Sequence, residues 1–227
     1  MIPRIQFFGL LQRRVCLLPT WRGLLLLSAL GLSLAALAIF EIHPFLALNE
    51  PIEADALVVE GWVPNYVLRE TIHEFRHGHY RKLYVTGVPI ETGGSETNDQ
   101  SYAELGADKL IRMGMDSALV EAVPAPHIMQ DRTYTSALAL KYRLHQQSLD
   151  GLRLNLVSIS THARRSHLLF LQALGADAKV GIISIENREY DAARWWRYSA
   201  GVRSVIDEAI AYAYARLIFP YLAVTPR

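Results

Sequence analysis

Cysteine is all but missing. Cys16 is the only one in the 227-residue chain. Everything after it is therefore without a disulfide and without a cysteine-based metal site, and must rest on a packed core. An excess of charge of one sign is also missing. The 23 Lys and Arg stand against 22 Asp and Glu, a net charge of +1. A nucleic-acid binder would carry a basic excess or a basic stripe, so no nucleic acid is expected as a partner. Several fingerprints are absent as well. There is no G-x-x-x-x-G-K-[ST], no G-x-G-x-x-G and no G-x-S-x-G. A P-loop, a dinucleotide site and a lipase-like nucleophile elbow are thereby excluded, and no cofactor is implied.

One stretch lacks charge altogether. "GLLLLSALGLSLAALAIF", Gly23 to Phe40, is apolar on every face and runs about 18 positions, near the minimum for crossing a bilayer. Arg4, Arg13, Arg14 and Arg22 precede it, and no Lys or Arg follows until Arg69. The positive-inside rule then keeps the N-terminus in the cytoplasm and exports the rest. The expectation is a single-pass protein of a bacterial inner membrane, held by residues 23–41. Residues 1–22 would be a basic cytoplasmic segment. The small residues at Ala36 to Ala38 leave a cleaved signal peptide open, although the long basic region before the run favours an uncleaved anchor.

The exported part alternates between two periods. After a linker at 42–53, short apolar runs ending in Gly or a hydroxyl read as buried strands: "DALVVEG", "KLYVTG", "ALVEAV", "RLNLVSIS" and "AKVGIISI". Between them lie helical patterns with Pro at the first turn or Gly at the stop. This predicts an α/β domain over 54–190, a Rossmann-like three-layer sandwich with a mostly parallel sheet of about five strands. Residues 191–227, rich in aromatics, would form a helical segment packed on it. Ligands of such sheets bind beyond the carboxyl ends of the strands. That nominates Glu60–Trp62, Thr86–Asn98, Pro124–Thr133 and Ser158–Arg165.

The last of these, "STHARRSH", sets two arginines and two histidines at the start of a helix, where the dipole is already positive. A bound phosphate or carboxylate would turn that repulsion into a site: the helix N-terminus and a forked guanidinium on the anion, His162 as acid or base. Otherwise it is a solvated basic start, or the arginines pair with nearby acids. "TGVPIETGGSETN" is either a phosphate cradle or a plain surface loop. Asp131 reads as an N-cap, with Thr133 in the first turn. His73-Glu74-Phe75-Arg76-His77 matches H-E-x-x-H, but helical spacing puts both histidines opposite the apolar stripe of Val67, Leu68, Thr71, Ile72 and Phe75. A zinc hydrolase built on it is the weakest of the readings, and no metal site is expected.

Four stretches together carry a resemblance: "ADALVVEGW", "YRKLYVTG", "DRTYTSALAL" and "VSISTHARRSHLLFLQALG". In order and spacing they are similar to the YdcF/SanA/ElyC-like family, an exported, membrane-anchored domain of unknown function linked to cell-envelope and peptidoglycan biogenesis. The match covers roughly Ala54 to Ile185. The resemblance implies a Rossmann-like fold. It sets the family's His-x-x-Arg on His162 and Arg165, its preceding hydroxyl on Ser160 or Ser158, its helix-start Thr on Thr133, and its Gly turns on Gly61 and Gly87. The chain departs from the family where Glu60 and Trp62 flank Gly61, and where Ser136 stands near a usual Asn. The expected ligand is an anionic small molecule or a lipid-linked envelope precursor. It would be held by Arg165, Arg164, Ser160, Thr133, Gly87 and Gly61, with His162 moving the proton. A non-catalytic assembly or barrier factor is the alternative.

Overall fold

The computed structural model describes residues 18–90, 100–127, 131–175 and 177–219. It divides into two units, 1–39 and 40–227. The first is occupied by helix α1 (Trp21–Leu46), whose last turns belong to the second unit. Its apolar residues from Leu24 to Phe40 are exposed, and it is long and apolar enough to cross a membrane.

The second unit is α/β. Its strands are β1 (Ala56–Glu60), β2 (Lys82–Gly87), β3 (Val120–Pro124), β4 (Leu154–Ile159) and β5 (Val180–Ile185). They form one all-parallel sheet in the order β3-β2-β1-β4-β5. The apolar runs read from the sequence are these strands. β1 is buried at every position, as a central strand covered on both faces must be.

Side chains alternate between the faces. Leu57, Val59, Leu83 and Val85 pack under α2 (Asn65–His77) and α3 (Tyr102–Arg112). Ala56, Val58, Tyr84, Leu154, Leu156 and Ile182 pack under α4 (Arg132–Gln146) and α5 (Ala163–Leu174). Burying each of the larger aliphatics contributes about 1.5–3 kcal/mol. The chain therefore changes face between β3 and β4, and the strand order reverses between β1 and β4. That reversal is where α/β sheets open a crevice at their carboxyl ends.

One segment differs from expectation, and the tail does not. Residues 42–53 read as a linker, yet His43 and Leu46 are buried and Glu50 bridges antiparallel to Ile182 of β5. Apolar side chains at a helix end find the domain rather than water. The tail contributes a 3-10 segment (Ala192–Arg197) and α6 (Ser199–Leu217), which packs on α5 beside the joint between β4 and α5.

Candidate functional site

The joint begins at Ser160, which leaves β4 with φ +42. A non-glycine residue in that region costs on the order of 1 kcal/mol. Hydrogen bonds hold it: Ser160 Oγ lies 3.1 Å from Tyr190 Oη and 3.3 Å from His43 Nε2, and Ser184 Oγ donates to its carbonyl at 3.2 Å. The bend starts the 3-10 turn Ser160–His162 and carries His162 over the end of β1.

His162 is wedged between two carboxylates. Its Nδ1 lies 2.7 Å from Glu208 Oε1, and its Nε2 lies 3.5 Å from Glu60 Oε1. The second separation is ion-pair contact without hydrogen-bond geometry. Trp62 meets the imidazole edge-on at 5.0 Å between centroids. Burial by itself would push the imidazolium down. The charge of Glu60 and the hydrogen bond to Glu208 outweigh it and bring the pKa up to about 9. Burial likewise raises Glu208, but hydrogen bonds from His162 and Arg165 overcome this and hold it down at about 2. Glu60, 2% exposed, also stays below the usual carboxylate range. Its burial is opposed by His162, and Ser158 and Ser166 donate to its Oε2 at 3.0 and 3.1 Å.

Arg165 forks onto Glu208. Nε donates to Oε2 at 2.8 Å and Nη2 to Oε1 at 3.0 Å. Nη2 is also 2.9 Å from His162 Nδ1. With the ring proton aimed at Glu208, that approach is two cations sharing one carboxylate oxygen. The expected anion hook is thus filled from within by a residue of α6.

A cavity of about 560 Å³ opens over these groups. Glu60, Thr86, Gly87, Asp131, Arg132, Thr133, Ser136, His162, Arg165 and Glu208 form its polar wall, and residues of α5 and α6 form an apolar one. Two groups of the polar wall are short of partners among the described residues. Thr86 is 0% exposed and its Oγ1 has no hydrogen bond. Exposed Arg132 makes no ion pair. Arg132 opens α4, whose N-cap Asp131 gives the helix no side-chain cap. The first turn therefore keeps its partial positive charge toward the cavity.

The structure brings His162, Arg165, Thr133 and Gly87 to this cavity and sets three other expected residues apart. Arg164 lies over the Phe45 ring, 4.0 Å from its centroid, and donates to the Phe45 carbonyl. Ser160 stays in the His43–Tyr190 network, so Ser158 is the hydroxyl that faces the cluster, through Glu60. Gly61 is a packing position: a Cβ there would stand 2.0 Å from the Tyr102 carbonyl oxygen at the start of α3. Gly87 is also tight: a Cβ there would stand 2.6 Å from the Ala103 nitrogen. The loop 91–99 lies outside the described residues.

His73 and His77 sit exposed on α2 with ring centroids 4.1 Å apart. Among the described residues no group of three or more His, Cys, Asp or Glu is placed to hold a metal.

Sequence reasoning missed Glu208, and gave no role to Glu60, Thr86 and Arg132 although the segments nominated beyond the strands contain all three. The signal for Glu60 was present, since an acid closing a wholly apolar strand must be paired. Glu208 lies 46 positions from His162 (208 − 162) and no local spacing announces it. Compared with protein-family models, curated proteins and solved structures, the chain matches none.

Proposed function

We propose that this chain is a membrane-anchored envelope protein whose exported α/β domain binds a phosphate-bearing ligand over the strand ends and presents it to the His162 imidazolium. One observation carries the ligand reading. Among the described residues Arg132 has no ion pair and Thr86 Oγ1 no hydrogen bond, and both share a cavity with the first turn of α4, which lacks a side-chain cap, and a protonated histidine. An anion supplies what Arg132, the α4 N-terminus and Thr86 lack, beside an imidazolium already paired with carboxylates. The anion hook moves from Arg165 to Arg132. Arg165 keeps only Nη1 clear of Glu208.

The chemistry follows from the charge state. At neutral pH His162 carries its proton, so it acts as donor to a leaving oxygen or as fixed positive charge beside a phosphate. Transfer or hydrolysis at a phosphate ester is the reaction class this suits. The envelope and peptidoglycan assignment is supported by the resemblance to the YdcF/SanA/ElyC-like family and by the apolar helix ahead of the domain. Periplasmic orientation is supported by the arginines that precede that helix.

Phosphate binding by the full chain in nanodiscs tests the reading. Arg132→Ala should weaken it roughly tenfold or more, the value of a charge-assisted contact, whereas Arg164→Ala should leave it unchanged. Equal binding by wild type and Arg132→Ala would sink the site as drawn.

A binding-only reading has one observation in its favour: both ring nitrogens of His162 already face carboxylates. Turnover of a generic aryl phosphate separates the two. An enzyme loses turnover in His162→Gln while still binding phosphate, and a binder shows no turnover in either form.

A further inference from the structure

The cavity has a second wall that the phosphate reading leaves idle. Leu169 of α5 and Ala211, Tyr214, Ala215 and Phe219 of α6 and its end face the interior. Leu169, Ala215 and Phe219 are buried together as a small cluster, and Phe219 stands edge-on to Tyr134 at 4.9 Å between centroids. No charged side chain of α5 or α6 lines this side beyond Arg165 and Glu208, which are paired. At the rim is Tyr214, partly exposed. One helical turn to either side of it, Ile210, Leu217 and Ile218 lie open to solvent at 67%, 65% and 51%. The apolar wall thus continues without a break onto the outer face of α6. A purely polar ligand would leave it wet.

We infer that the ligand is an amphiphile, with its phosphate on Arg132 and the α4 N-terminus and its hydrocarbon chain running along the α5–α6 wall and out past Tyr214. This rests on the phosphate-site reading and adds the tail. The apolar helix Trp21–Leu46 makes a bilayer the nearest reservoir of such a molecule. Unlike a flat apolar face, this wall starts from a polar pocket that orients its occupant head first.

The test is calorimetry on the full chain in phosphatidylcholine nanodiscs, with empty discs subtracted. The probes are inorganic phosphate, ethyl, butyl, hexyl and octyl phosphate, and hexanol. Affinity should rise roughly fourfold per methylene while the chain covers the wall. Ala211→Gln at the half-buried rim and Phe219→Ala inside should flatten that rise and leave inorganic phosphate binding unchanged. Ala211→Gln is the milder change and keeps the test open if Phe219→Ala unfolds.

Phosphate binding with no dependence on chain length overturns the amphiphile and spares the phosphate site. Absence of binding by phosphate and every alkyl phosphate overturns both. Hexanol binding as tightly as hexyl phosphate overturns the oriented head. An undiminished rise in both variants places the chain elsewhere and overturns the wall. Discs doped with lysophosphatidic acid should displace hexyl phosphate. A rise without displacement overturns the bilayer as the source.

Discussion

At the scale of single residues, the charge on His162 is a product of its neighbours. Its stabilising effect has a definite pH window. The folded pKa of about 9 lies above the ordinary 6.5. Its contribution is complete below pH 6.5 and is lost as pH rises through 9. Glu208, held at about 2 against an ordinary 4.5, contributes fully above 4.5 and loses that contribution as pH falls toward 2. Thermal melting should therefore fall on both flanks, and His162→Gln should remove most of the alkaline fall. A matching alkaline loss in wild type and variant would assign it to other groups. Glu208→Gln should lower the His162 pKa by one unit or more, read from its ring proton shifts. An unmoved titration would mean that Glu60 alone sets the charge. His162 and Arg165 were legible as a motif at a helix start. Their partners were not, because a carboxylate brought in by a distant helix leaves no trace in local spacing.

At the scale of elements, Gly61 just past β1 and Gly87 at the end of β2 set how near α3 can come. A Cβ on Gly106 would meet Gly61 Cα and Val85 Cγ1 at 2.8 Å each. Helix and strand ends thus touch backbone to backbone. Gly106→Ala should cost about 1–3 kcal/mol in urea unfolding, the usual range for overpacking. A neutral result would show that α3 slides outward freely. The capping box between Ser101 and Glu104 fixes the entry to this helix: Ser101 Oγ accepts from the Glu104 N–H at 3.2 Å, and Glu104 Oε2 accepts from the Ser101 N–H at 2.7 Å. The strands and helices were legible almost entirely, since a sheet buried on both faces imposes unbroken apolar runs. The tight Gly61–Tyr102 approach was not. From sequence that glycine marks a turn equally well whether a ligand or a helix lies above it.

At the scale of the whole molecule, orientation can be read with the chain's own chemistry. Cys16 is the sole cysteine. In intact cells a membrane-impermeant maleimide should leave it unlabelled and should label it after permeabilisation. A Cys16→Ser, Glu53→Cys chain should give the opposite pattern once the outer barrier is opened, because Glu53 is exposed on the second unit. Labelling of Cys16 in sealed cells would reverse the proposed topology.

Glu208 comes from α6, which follows every strand of the sheet in the chain. Chains are made and delivered from the N-terminus onward. The sheet and α5 can therefore be in place while Arg165 and His162 still lack their shared carboxylate. Two cations then face each other across an unfinished wall, and the imidazole gives up its proton more readily. The cluster reaches its working charge only when α6 arrives. A chain that kept every strand but lost α6 would therefore hold the same sheet with a differently charged cluster at its end.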